Sequence, residues 1–147
     1  MKYSQITGTM LNFKTGERHE TGTSFSSHEE NTEKHIIIIR TFDNRRISET
    51  TLLLEAPDFL AFHSRSADPR MPVMTGRFWN SDHEECVLKA TLSDQNIKID
   101  GVVTKLDQTS ALSTKTMTDH SGSTVAIMQE RVKLISETEF KRATSHE

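Results

Sequence analysis

The chain consists almost entirely of short segments in which apolar and polar residues alternate, each ending at a turn signal. Residues 86–92 (Cys-Val-Leu-Lys-Ala-Thr-Leu) show the alternation. Breaks such as Lys14-Thr15-Gly16, Asp43-Asn44 and Pro57-Asp58 recur roughly every 8 to 15 residues. Side chains of a strand point to opposite faces with a period of two, so the pattern predicts antiparallel strands with one wet and one dry face. No segment predicts a long helix.

The turn signals divide the chain into ten predicted strands. They cover residues 5–13, 18–27, 35–42, 46–56, 59–64, 73–80, 85–93, 97–105, 112–118 and 124–140. The last is the longest and has three interpretations: one strand bent by a bulge, two strands joined near Arg131-Val132-Lys133, or a helix over residues 128–135. Residues 56–62 could also open a helix, with Pro57 in its first turn.

These strands predict an all-β fold, a single-domain antiparallel meander barrel of about 8–10 strands. A meander of this length must close, or fold over as a β-sandwich (the alternative), to hide its edges. The 147 residues fit one domain. We predict a barrel over residues 1–142 and a frayed tail at 143–147. Hydrophobic residues make up only 33% of the chain, which suits a barrel with a partly polar interior.

Charge and composition exclude several classes of partner. Eighteen basic and 21 acidic residues are interspersed, with a net charge of -3, so no basic stripe for nucleic acid is expected. Cys86 is the single cysteine, which rules out an intrachain disulfide. The first residues lack the apolar stretch of a signal peptide, and the longest aliphatic run, residues 36–39, is too short to cross a bilayer. The sequence therefore predicts a cytoplasmic protein with no membrane partner.

Two histidine-containing stretches resemble functional motifs but lack the required spacing. His28-Glu29-Glu30, with Glu33 and His35 nearby, has metal-binding residue types, but the segment is predicted as a turn, where neither helical nor rigid strand spacing is available. We therefore predict a solvated acidic loop and no metal site.

The stretch Asp119-His120-Ser121 contains the residue types of a catalytic triad. Adjacent residues in a hairpin turn cannot form the required chain of hydrogen bonds, so we assign it no catalytic role. The sequence also contains no glycine-rich phosphate loop, nucleophile elbow or dinucleotide fingerprint, and no cofactor is predicted.

The predicted ligand site lies on the fifth and sixth strands. Arg77 and Trp79 share a strand face, and an arginine beside an aromatic ring inside a barrel would seat an anionic head group. The alternative is a surface arginine whose stem covers the indole. His63 follows an apolar segment and could orient a polar group at a cavity mouth, or be structural. Phe62 and Phe78 would supply apolar wall.

For two further strands, the sequence does not determine which face points into the barrel. Leu112, Thr114, Thr116 and Thr118 share a face, and this hydroxyl row would make the interior amphiphilic if it points inward, or be ordinary solvated threonine if it points outward. Residues 36–39 place two isoleucines on each face of their strand, so both faces need cover. With no helix predicted to supply it, we expect a homodimer.

The turn-linked strands and the missing helical layer resemble the calycin superfamily, which comprises lipocalin, fatty-acid-binding and nitrobindin-like barrels. The likeness covers most of the chain and is one of pattern and length. Gly8-Thr9-Met10 stands where the lipocalin Gly-x-Trp signature would be, and the turn at Thr15-Gly16 replaces the helical lid of fatty-acid-binding proteins. The resemblance implies a small ligand inside the barrel. Nitrobindin-like members hold haem through a histidine, but no matching motif surrounds His63.

Three functions follow from these features. The first is non-enzymatic binding of a small hydrophobic or amphiphilic molecule inside the barrel. The second is a self-associating structural or protein-interaction barrel filled by its own side chains. The third is a small isomerase- or lyase-type enzyme that uses His63 with a carboxylate such as Glu49 or Asp100.

Overall fold

The fold was determined as a computed structural model, which describes residues 1–43, 46–56, 59–66, 74–80, 85–92 and 96–145. Within these ranges it contains ten strands and one helix. They are β1 (Lys2–Asn12), β2 (Arg18–Asn31), β3 (Ile36–Asp43), β4 (Arg46–Ala56), β5 (Phe59–Ser66), β6 (Met74–Asn80), β7 (Glu85–Leu92), β8 (Ile97–Lys105), β9 (Ser110–Thr118), β10 (Thr124–Ile135) and α1 (Glu137–Thr144).

The strands form a closed barrel in which each pairs antiparallel with the next along the chain. The ring closes between the first and last strands, because β10 pairs with β1 from Tyr3 opposite Ile135 to Asn12 opposite Ala126. Closure removes the unpaired edges that a meander would otherwise expose. The predicted all-β antiparallel barrel is confirmed, and the β-sandwich alternative is wrong.

Most predicted strand boundaries agree with the structure to within a few residues, and the differences at β2 and β3 have a clear cause. His35 adopts a left-handed backbone with φ of 55°, so β3 begins one residue later than predicted. On the other side of this turn β2 continues to Asn31, which pairs with Ile36. His28 and the two glutamates after it therefore lie in a strand, not in the predicted turn.

The C-terminal region differs most from the prediction. β10 ends at Ile135, so the predicted strand over 124–140 is wrong beyond that residue, and the alternative helix over 128–135 is also wrong. Residues 137–144 form α1 instead. The Ser136 hydroxyl caps the helix by accepting a hydrogen bond from the Glu139 amide at 3.1 Å. The helix extends into the predicted tail at 143–147, whereas the second predicted helix, at residues 56–62, is strand.

Helix α1 packs against the outside of the barrel. Phe140 is buried, with its ring centroid 4.7 Å from that of Tyr3 and 5.5 Å from that of Phe42. The helix therefore covers the outer wall around Tyr3 and Phe42, although the sequence predicted no helix that could cover the barrel. No helix in the described chain is long and apolar enough to cross a membrane.

The interior face of the barrel can be followed from strand to strand, because residues directly opposite each other on paired strands share a face. Leu52, Ala90 and Ile99 form the buried apolar cluster. Ala90 lies opposite Ile99, which lies opposite Met117. The half-buried residues packed around this cluster are Ile37, Ile39, Leu92, Ile97 and Met117. The interior face is the one that carries these residues.

Candidate functional site in the barrel interior

The structure places His63 on the outer wall. Adjacent residues of a strand point to opposite faces, so Thr51 faces outward next to Leu52, and His63 lies opposite Thr51. The His63 side chain is exposed there. Its role in ligand binding stays a prediction.

For the other predicted ligand-binding residues, the structure describes the backbone alone. Phe62 lies opposite Leu52 and Gly76, and Arg77, Phe78 and Trp79 belong to β6. The side chains of Phe62, Arg77, Phe78 and Trp79 lie outside the described residues, and their part in a site also stays a prediction.

The carboxylates of the enzyme hypothesis have other partners. Glu49 accepts a hydrogen bond from Arg40 Nε at 3.3 Å. Asp100 lies on β8, 4.0 Å from Lys89 Nζ. Two strands, β6 and β7, separate β8 from the strand of His63, which corresponds to about 14 Å along the wall. The structure does not bring Asp100 to His63.

The threonine row of β9 points outward. Thr114 lies opposite Val102 and Thr116 opposite Asp100, and both partners are exposed on the outer wall. The residues of β9 between these threonines therefore face the interior. They are Ser113, Lys115 and Met117.

A charged pair faces the barrel interior between β9 and β10. Lys115 Nζ donates a hydrogen bond to Glu130 Oε1 at 3.1 Å, and the two side chains are 25% and 20% exposed. Lys115 lies opposite Met128, so Glu130 is its diagonal neighbour on the same face. Charges withdrawn from bulk water need such a partner, because an unpaired one would carry a large desolvation cost.

A bulge at the start of β10 brings these two residues together. Thr124 lies opposite Thr118, but Ala126 lies opposite Met117, so Val125 is an extra residue in β10. If the pairing continued regularly from Thr118 and Thr124, with no residue left over, the diagonal neighbour of Lys115 would be Gln129. The extra residue shifts the rest of β10 by one position, and this places Glu130 on the interior face.

Glycines lie beside both members of the pair on the flanking strands. Glu130 is opposite Gly8 of β1, and Lys115 is opposite Gly101 of β8. A Cβ added at Gly8 would lie 2.5 Å from the Gln129 carbonyl oxygen and 2.8 Å from Glu130 Cγ. The glycine at position 8 therefore lets Glu130 lie close against β1, and Gly101 adds no side chain beside Lys115.

The strand on the far side of Gly8 is also irregular. Gly8 pairs with Gly22 and Thr9 pairs with Glu20, so Thr21 is an extra residue in β2. Gly22, next to it, has φ of 85°. A left-handed glycine is typical of such bulges, which are frequent next to functional sites. Bulges therefore occur in both β2 and β10, the strands on either side of β1.

The charged pair adjoins the apolar part of the interior. Ile99 and Met117 are the next interior positions after Gly101 and Lys115 on their strands, and both belong to the apolar cluster or its margin. Met128 lies opposite Met10 on the other side. Methionine side chains adapt to ligands of different shape. The described interior is therefore amphiphilic, with a charged pair beside an apolar wall.

The number of strands suggests an incompletely filled interior. Eight strands enclose a space that side chains just fill, and the diameter grows with strand number. Interior residues that are only half-buried, such as Ile37, Ile39 and Met117, agree with this geometry.

A buried hydroxyl and a half-buried imidazole lie further along the same face. Ser26 is 1% exposed, and its hydroxyl has no hydrogen-bond partner among the described residues. Burial lowers the pKa of His28, and the charge of Lys2 lowers it further. The described chain contains no cluster of three or more histidine, cysteine or acidic residues that could hold a metal ion.

The fold and these residues define an antiparallel barrel whose interior face carries a charged pair beside apolar side chains. No protein-family profile matches the chain, and no curated protein matches it significantly. The chain is similar in structure to Rv2717c from M. tuberculosis, known from a crystal structure, with a TM-score of 0.65 over 90% of this chain and 91% of that one. The two sequences are 9% identical, so this likeness shows the fold alone.

Proposed function

We propose that this protein binds a small hydrophobic or amphiphilic molecule inside its barrel without transforming it, as the calycin barrels that it resembles do. The observation that supports this most strongly is the Lys115–Glu130 pair, which faces the interior beside the apolar cluster. We retain the cytoplasm as the predicted location.

The physical requirements of an amphiphile match the two parts of the interior. An apolar tail gains about 25 cal/mol for each Å² removed from water, and the residues around Ile99 and Met117 offer such a surface. A polar head that leaves water needs hydrogen bonds in exchange, which the charged pair can supply. Well-packed apolar residues often stabilise a fold as well as a buried ion pair does. An interior pair is therefore better explained by binding than by stability.

Titration with Nile red, an uncharged dye whose emission reports an apolar environment, tests the proposal. We expect saturable binding of one dye per barrel. Met128→Trp, at an interior position, should block it. Gln129→Trp, at the next residue on the exposed outer face, should leave it unchanged and is the matched control. Absence of saturable binding, or an equal effect of the two variants, would contradict binding inside the barrel.

The outer wall of β3 and β4 favours self-association as a second function. Leu53 and Ile47 are 46% and 45% exposed, and Ile36 lies opposite Leu53. Leu53 and the half-buried Ile36 form an apolar pair on this wall, and exposed apolar patches are typical of interaction surfaces. We expect sedimentation to give a dimer at micromolar concentration, and Leu53→Lys to give a monomer. Leu106→Lys, at an equally exposed leucine outside this surface, is the control, and a wild-type monomer would remove this candidate.

A further inference from the structure

We propose that the preferred ligand has an uncharged polar head group with a hydrogen-bond donor next to an acceptor, such as a primary amide, and that the barrel discriminates against free carboxylates. The inference rests on the proposed function and specifies its ligand class. It follows from the composition of the interior charged pair and from its surroundings.

The pair has unused hydrogen-bonding capacity of both kinds. An ammonium group has three donors, and Lys115 uses one of them on Glu130 Oε1. A carboxylate has two oxygens with about four acceptor positions, so Glu130 can accept further bonds. A head group that bridges the pair therefore needs an acceptor for Lys115 and a donor for Glu130. A primary amide presents both on one carbon atom.

The charge of the site disfavours an anion. Lys115 and Glu130 neutralise each other at 3.1 Å, so the site has no net charge to attract a carboxylate. A fatty-acid head beside Lys115 would also lie close to Glu130, and two carboxylates in one partly desolvated site cannot both stay ionised without cost. A neutral head avoids this repulsion and leaves the ion pair intact.

The neighbours of the pair across the ladder are glycines, and its neighbours along β8 and β9 are apolar. Gly8 and Gly101 lie opposite the two charged residues and present no side chains to the interior. Ile99 and Met117 begin the apolar surface one interior position away. An amide bridging the pair could therefore extend its alkyl chain over that surface.

Two fluorescent probes that differ only in the head group test the inference: dansylated undecanoic acid and its primary amide, titrated near neutral pH. We expect the wild-type protein to bind the amide at least about tenfold more tightly than the acid. Glu130→Gln removes the repelling charge and leaves Lys115, so the order should reverse in favour of the acid. Lys115→Gln should weaken the binding of the acid further.

The outer wall offers a matched control. Lys89 and Asp100 form a pair between β7 and β8 that is exposed on the outside. Asp100→Asn should leave the amide-to-acid ratio unchanged. The double exchange Lys115→Glu with Glu130→Lys keeps both charges inside and should keep the preference for the amide, so the inference remains testable if a single variant unfolds, as circular dichroism would show.

The outcomes separate this inference from the proposed function. Binding of the acid to the wild type as tightly as the amide would overturn the inference while leaving ligand binding in place. A shift of the ratio by Asp100→Asn as large as that by Glu130→Gln would also overturn it. Failure of Nile red and of both probes to bind would refute the proposed function, and the inference with it.

Discussion

Ser26 is buried with an unpartnered hydroxyl among the described residues, and such a group costs stability. A buried polar group without a hydrogen bond costs about 1–3 kcal/mol, so Ser26→Ala should raise the free energy of unfolding by about 1 kcal/mol. Urea denaturation measures this. Ser27→Ala, at the neighbouring residue on the outer face, should change it little. A loss of stability in Ser26→Ala would show that the hydroxyl has a partner after all.

His28 should make the fold sensitive to mild acid. Burial, and then Lys2, lower its pKa below the usual value of about 6.5, so the unfolded chain takes up a proton more readily than the folded one. Its contribution to stability is therefore fully present above about pH 6.5 and is lost as the pH falls from there towards the folded-state pKa. His28→Gln should flatten this part of the curve of unfolding free energy against pH.

The His28 measurement has an internal reference. Hydrogen bonds, first of all from the Thr109 backbone amide, lower the pKa of Asp107. The effect of Asp107 on the unfolding free energy therefore falls at a more acidic pH than the effect of His28. Equal slopes in the wild type and His28→Gln between about pH 5 and 7 would contradict the assignment.

The composition of the sequence indicated a partly polar interior, but not the charged pair that the structure places there. Lys115 and Glu130 are 15 residues apart, and each has polar neighbours on both sides, so alternation could not show which face they take. The bulge at Val125 decides this, and a bulge depends on local pairing that no residue pattern around it specifies. Arg77 and Trp79 were predicted as ligand-binding residues because a cation and an aromatic ring two residues apart on a strand share a face.

Gly8 permits the close approach of β1 and β10 beside Glu130. A methyl group there would collide with the Gln129 carbonyl and with Glu130 Cγ. Because overpacking typically costs 1–3 kcal/mol, Gly8→Ala should destabilise the protein by about 2 kcal/mol and weaken Nile red binding by displacing Glu130. Thr7→Ala, on the outer face of the same strand, serves as the control. Unchanged stability and affinity in Gly8→Ala would show that β1 can move away without consequence.

The strands were predictable because the alternation of apolar and polar residues agrees with the turn residues along most of the chain. The boundaries of β4 and β8 coincide with the prediction. Helix α1 was missed because eight residues with a single buried side chain, Phe140, give little periodicity. A usable signal was present, since Ser136 and Glu139 have the spacing of a capping box.

Closure of the barrel makes the last strand, β10, essential for solubility. A chain ending at Ser123 would lack β10 and leave β1 and β9 as open edges, so we expect it to aggregate. A chain ending at Ser136 would lose only α1 and keep the barrel closed, so it should stay soluble with reduced stability. Size-exclusion chromatography distinguishes the two. A soluble, monomeric chain ending at Ser123 would contradict the importance of closure.

The architecture as a whole was predictable from a general constraint, the need of a long meander to hide its edges. The face of each strand that points inward was not predictable. Three pairings contain register shifts, between Gly8 and Thr9, Leu54 and Ala56, and Thr124 and Ala126. Each shift reverses which residues of one strand face inward relative to its neighbour, so the inward set cannot be followed through the sequence by alternation alone.

The extra residue Val125 also gives this hairpin some tolerance to a change in length. Deleting Val125 itself would give β10 a regular ladder with β9 and leave Glu130 opposite Ser113, on the interior face. A single-codon deletion at this position would therefore keep the polar site, whereas a one-residue deletion between Ala126 and Glu130 that left the bulge in place would move Glu130 to the outer face and Gln129 opposite Lys115.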